Sequence, residues 1–190
     1  MLVYVAPNRW EKVLQIATGN IVTVNQVKIA ARMDLLDTAM DSLIESYILS
    51  AQAAIEAYIG GTLLKTRFRG FYDGIPYVMR INKKPNLMVE QVKIFDVPVD
   101  STLYEIQKRK NLTNIFLSKI SFPDEVDSVV VDITCGYESA ALVPEQIKAA
   151  IIMCVVKMLT GDCGDNNIIT KGAKDLLKLY RDETEWSEIT

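Results

Sequence analysis

The chain has 190 residues, 49% hydrophobic and 24% charged, which is ordinary for a globular protein and long enough to bury a real core. It contains no histidine, which removes the commonest general base and metal ligand, and its three cysteines follow no pairing pattern, which points to a reducing compartment. The net charge of −3 hides a segregation: residues 1–61 carry 4 basic and 6 acidic side chains, residues 62–120 carry 11 and 5, and residues 121–190 carry 6 and 13. That pattern suits either separate solvated surfaces or neighbouring copies meeting head to tail.

The opening run MLVYVAPNRWEK has no basic leader and too short an apolar stretch for a secretory signal. Residues 1–22 read as a short strand over Leu2–Ala6 and one helical turn around Trp10–Ile16. Thr23 and Gln26 then make a capping box, and Val22 with Val27 a hydrophobic staple, predicting a short helix over Val24–Arg32. Asp34 to Thr38 interrupts it, with Asp37 or Thr38 available as the next cap. A long helix follows over Thr38–Ile59. Met40, Leu43, Ile44, Tyr47, Ile48, Ala51, Ile55 and Tyr58 recur at helical spacing on one face, and Gly60-Gly61 ends it.

From Thr62 to Ile133 the period changes toward two. Candidate strands are Leu63–Asp73, Val78–Asn82, Val89–Phe95, Leu103–Lys108, Ile115–Ser118 and Ser128–Thr134, punctuated by Asp73-Gly74, Pro85-Asn86, Pro98 and Pro123-Asp124. After Gly136 comes a helix introduced by Pro144 and stopped by Gly161. Its centre, Ala149 to Val156, is apolar on every side, so it needs cover all round. The run is well short of the roughly 20 residues that cross a bilayer, so it is a core helix with part of its coat supplied by a second subunit, and no membrane is expected. A last amphipathic helix covers Lys171–Tyr180, with Ala173, Leu176, Leu177 and Tyr180 on one face. Residues 182–190 read as a mobile acidic tail. The expected fold is α+β in a single domain, residues 1–190. Its helical frame (residues 23–61 and 137–181, two helices at each end) surrounds a small antiparallel β-sheet or sandwich inserted at residues 62–134.

Chemistry-bearing constellations are few. Cys135, Cys154 and Cys163 match no zinc spacing, and Asp162, Asp165 and Asn166 do not follow the ligand order of a calcium loop. No metal and no cofactor is expected. Phosphate-binding glycine loops, nucleophile elbows and HExxH are absent. An acid–base site among Asp132, Tyr137 and Glu138 would require a strongly perturbed carboxylate in a pocket. Arg67, Phe68, Arg69, Phe71 and Tyr72 interleave cations with aromatics, as a single-strand nucleic-acid platform does, yet strand alternation splits them between two faces. A nucleic-acid-binding module using this basic segment is the alternative reading. Lys171, Lys174, Lys178 and Arg181 form a cationic helix stripe leading into the acidic tail with its single tryptophan, a docking element in outline.

The succession of motifs resembles the head–tail connector proteins of tailed bacteriophages, also called adaptor or head-completion proteins. The first block is VTVNQVKIAARMD, the long helix TAMDSLIESYILSAQAAIEAYIGGTLL and the strand TRFRGFYDGIP; the second is VVVDITCGYESAALVPEQIKAAIIMCVVKML. Together they cover about half the chain. The first twenty-two residues exceed the usual start, and residues 75–125 match only in being β-rich. The resemblance implies a non-enzymatic virion protein at the head–tail interface, assembled in the host cytoplasm. It implies a ring, commonly dodecameric, that joins portal to stopper or tail while DNA passes through without sequence-specific binding. On this reading Ile152, Val156, Arg67 and Arg69 are expected at the ring interface. Lys171, Lys174, Lys178, Arg181, Asp182, Glu183, Glu185 and Trp186 are expected to dock on the portal.

Overall fold

The computed structural model describes residues 4–74, 78–109, 112–117, 127–161 and 168–181. The chain divides into two compact units, one made of Met1–Thr18 with Leu64–Glu138 and the other of Gly19–Leu63 with Ser139–Thr190.

The first unit is built of strands. A four-stranded sheet has the order β1 (Tyr4–Val5), β4 (Val78–Ile81), β8 (Leu112–Phe116), β7 (Glu105–Arg109). A five-stranded sheet has the order β2 (Arg9–Gln15), β3 (Thr66–Tyr72), β9 (Val129–Cys135), β5 (Met88–Ile94), β6 (Val97–Pro98). All pairs are antiparallel except β1 with β4. Strand β9 is central and buried along its whole length, which suits its run of β-branched residues. Val129, Val131 and Ile133 share one face with Tyr72, Val92 and Ile94. They pack there against Met79, Ile81, Ile115 and Leu117 from the other sheet, so the unit is a sandwich with one apolar core. Gly136 ends β9 at φ +106. A Cβ there would lie 2.5 Å from the Leu64 carbonyl oxygen, so only glycine lets the two backbones approach.

The second unit is helical: α1 (Val24–Ala31), α2 (Asp41–Ile59), α3 (Glu145–Thr160) and α4 (Lys171–Leu177). The capping box is present in full, with Thr23 Oγ1 accepting from Gln26 N–H and the Gln26 side chain accepting from Thr23 N–H. Helix α3 touches each of the other three helices. Its buried residues Ile147, Ala150, Ile151, Cys154 and Val155 meet the α2 stripe Ile44, Ile48, Ala51, Ile55 and Ile59 in one core. That stripe recurs every three or four residues, so α2 turns a narrow seam inward and leaves Met40 and Leu43, expected on the buried face, more than a third exposed.

The α+β class and the two helices on each side of a β-rich segment are as the sequence predicts. Element bounds shift by a few residues, as where α4 ends at Leu177 and β8 runs over Leu112–Phe116, and three further differences have a physical cause. The helical turn expected around Trp10–Ile16 is strand β2, paired with β3. Its register slips between Lys12 and Leu14, and this bulge puts Trp10, Val13 and Leu14 at a spacing that imitates a helix. The β-structure therefore also draws on the start of the chain. Helix α2 begins at Asp41 rather than Thr38, because Asp37 Oδ1 accepts from Ala39 N–H at 2.9 Å and spends itself on a turn. The expected strand start at Leu103 is a short 3-10 turn, Ser101–Leu103, with the Asp100 side chain accepting from Thr102 N–H.

Candidate functional site

Helix α3 is apolar on more sides than its own subunit covers. While one side is sealed in the core, Ile152 and Val156 are half-buried, Met153 is 39% exposed and Ala149 is exposed. These positions repeat at three- and four-residue intervals and form one open stripe. Beside it runs a groove of about 640 Å³ lined by Ala30 of α1, by Ile152, Met153, Val156 and Lys157 of α3, and by Thr170, Lys171 and Gly172 at the start of α4. Thr170 caps α4 by accepting from Ala173 N–H at 3.0 Å. Gly172 leaves the first turn bare, and the Met153 methyl occupies that space, 2.5 Å from where a Cβ would stand. Two predicted interface residues, Ile152 and Val156, thus sit together on an accessible apolar wall.

Arg67 and Arg69 are placed differently. Both lie on β3, on the sheet face that turns away from the sandwich core, and both are engaged within the subunit. Arg69 donates through Nε to Asp132 Oδ1 at 2.7 Å and through Nη2 to Oδ2 at 3.1 Å, its cross-strand partner on β9. This bidentate bond holds the Arg69 pKa above its ordinary value. Arg67 reaches Glu90 at 2.6 Å, and Arg9, 2.9 Å from Asp127, stacks over the Phe71 ring at 4.0 Å. Cations and the outward-facing, half-buried Phe71 of the basic strand are therefore spent on intrachain partners, which weakens it as a platform for phosphates and stacked bases. Asp132 is held by Arg69, with Lys93 at 4.0 Å, and Glu138 by Lys65 at 3.0 Å.

Cys135 and Cys154 are buried free thiols; burial pushes the Cys154 thiol up, against a backbone hydrogen bond at Thr170 and the nearby Lys157 charge. Among the described residues no cluster of three or more metal-ligating side chains occurs. Cys163, Asp162, Asp165 and Asn166 lie outside the described residues.

The carboxyl-terminal stripe is on α4 and the turn after it. Lys178 pairs with Asp175 at 2.8 Å, and Arg181 lies 5.0 Å from the Tyr58 ring centroid. Lys171 is exposed at the groove, while Asp182, Glu183, Glu185 and Trp186 lie outside the described residues.

One group escaped the sequence reading. Lys28, on the inner side of α1, has a side chain only 1% exposed. Its Nζ donates to the Asp37 carbonyl at 2.6 Å and lies 2.5 Å from Asp41 Oδ1 in the first turn of α2. The signal available was weak: a lysine one position after Val27 on a short helix that buries only those two residues.

The helical unit thus leaves one apolar stripe of α3 uncovered. Residues 21–96 match the model of the phage gp6-like head-tail connector protein family. In fold the protein is similar to a chain in the neck of an empty gene transfer agent particle computed with C6 symmetry, at 18% identity and TM-score 0.70, covering 91% of this chain and 95% of that one. A chain of the native gene transfer agent virion matches at 16% identity and TM-score 0.67, covering 90% and 94%. A third, from the native neck computed with C12 symmetry, matches at 16% and 0.61, covering 91% and 94%. No curated protein matches the chain by sequence.

Proposed function

We propose that this connector subunit closes with its own copies into a ring, in dodecameric form, that joins the portal to the stopper or tail in the virion after DNA packaging. The observation that carries the reading is the open stripe Ala149, Ile152, Met153 and Val156 on a helix that otherwise forms the core of its unit. An apolar face of this kind is costly in water and is relieved by a second copy. The helical frame makes the ring contact, and the subunit carries no enzymatic activity. DNA crosses the ring without sequence-specific contact, which suits a basic strand whose arginines are paired internally.

Portal docking belongs to the carboxyl end. Of the four stripe cations, Lys171 is assigned to the groove it lines. Lys174, Lys178 and Arg181, followed by Asp182, Glu183, Glu185 and Trp186, form a charged arm with one aromatic anchor, a common energetic centre of interfaces.

Mass measurement and negative-stain imaging of the purified protein, alone and with purified portal, test the proposal. Rings in either condition are expected. A protein that stays monomeric at high concentration and leaves portal undecorated overturns it. Deleting residues 182–190 should leave subunit melting unchanged and weaken portal attachment, with Trp186→Ala reproducing part of the loss; unchanged attachment removes the tail from the docking surface.

A further inference from the structure

Between α1 and α2 the chain turns through Asp34, Leu35, Leu36 and Asp37. Leu36 is 89% exposed, the highest value among the large apolar side chains of the described residues, and Leu35 is 47% exposed. An exposed leucine alone means little. This one is presented on a pinned turn. Leu36 N–H donates to Asp34 Oδ1 at 2.9 Å, Ala39 N–H donates to Asp37 Oδ1 at 2.9 Å, and the buried Lys28 ammonium donates to the Asp37 carbonyl at 2.6 Å. A protrusion already fixed in shape gives up little conformational freedom on docking.

Turn and groove are complementary in chemistry. The turn offers leucine between two carboxylates; the groove offers Ile152, Met153 and Val156 with Lys157 and Lys171 beside them. We infer that Leu36 on the Asp34–Asp37 turn of one copy seats in the groove between α1, α3 and α4 of the next, with the flanking carboxylates directed at Lys157 and Lys171. Knob and groove are different surfaces of one chain, so the contact is heterologous, the kind that repeats around a ring. The apolar seat supplies the affinity, and the charges fix the register. This inference rests on the ring reading above and names the surfaces that would make it.

The test uses cysteine pairs in the full-length chain, with Cys163→Ser as background because Cys135 and Cys154 are buried. Leu36→Cys and Met153→Cys are introduced into separate proteins, mixed under ring-forming conditions with or without portal, and treated with a short bifunctional thiol crosslinker. Efficient crosslinking of Leu36→Cys to Met153→Cys is expected, and the bond can only be between copies. In parallel, Leu36→Ser should lower ring yield at least tenfold at unchanged melting temperature. Rings that form without this crosslink overturn the inference and leave the ring reading standing. Crosslinking of Met153→Cys to a Trp186→Cys protein instead gives the groove to the carboxyl-terminal tail and likewise overturns it. An absence of rings in every condition removes the ring reading and this inference with it.

Discussion

Lys28 and Asp41 give an asymmetric prediction. The ammonium is 1% exposed, whereas the Asp41 side chain is 34% exposed and sits in the first turn of α2, where the helix dipole favours an anion. Asp41→Ala strands a buried cation with only the Asp37 carbonyl as partner. Removing one member of a buried pair in this way costs about 3–5 kcal/mol. Lys28→Met keeps the apolar stem packed and leaves a carboxylate that water and the helix end still stabilise. Its cost should be about 1–2 kcal/mol, from one lost hydrogen bond to a charged group and partial loss of the pair. The difference of about 2 kcal/mol corresponds to roughly 4–8 °C in Tm for a chain of this length. The double variant should be more stable than Asp41→Ala alone, since it removes the stranded charge along with its partner. Circular dichroism melts at concentrations too low for assembly measure all three. If Lys28→Met is the worse single change, or the double variant is no better than Asp41→Ala, the buried ammonium is not what the turn is built around.

Gly136→Ala should lower stability by about 3 kcal/mol or more, measured by urea denaturation, because positive φ and the 2.5 Å approach to the Leu64 carbonyl both oppose a side chain. Ile151→Ala, at a fully buried position, should cost about 2–5 kcal/mol, whereas Ile152→Asp should spare the melting temperature and abolish ring formation; equal loss of both would assign Ile152 to the core. Tyr72 is fully buried, its hydroxyl has no hydrogen-bond partner among the described residues, and burial raises its pKa well above the ordinary 10.0. The folded state therefore keeps a proton that the unfolded chain releases, so this group's stabilising share is present below about pH 10 and is lost as pH rises further. Tyr72→Phe should be neutral or stabilising by about 1 kcal/mol near pH 7 and should flatten the alkaline loss; an unchanged alkaline profile would argue against it.

Helices whose ends and faces agree were legible from the chain. Thr23 with Gln26 located the start of α1, and the apolar run Ala149–Val156 located both a core helix and its uncovered side. What escaped was set by geometry that residue type does not announce. The bulge in β2 made a strand look like a helix turn. The β5–β6 hairpin turns on Phe95 and Asp96, both at positive φ, where glycine or asparagine is the usual marker. Lys28 looked like a surface charge because its partners, the Asp37 carbonyl and Asp41, become neighbours only after the following turn has formed. Arg67 and Arg69 were visible as a cationic strand, but Glu90 and Asp132, which engage them, come from β5 and β9 later in the chain.

The division of the chain also bears on synthesis. Strands β1 and β2 leave the ribosome first, yet their pairing partners, β4 for β1 and β3 for β2, arrive only after the whole of α1 and α2. Those helices in turn wait for α3, the helix that contacts them all. Neither unit is contiguous, so each must close a long loop before its core is rewarded, which makes its formation slow relative to a local helical hairpin. A nascent chain halted before α3 would expose Ile44, Ile48 and Ile55 together, and truncated products should be cleared by proteolysis or held by chaperones instead of accumulating as half-folded subunits able to poison a ring.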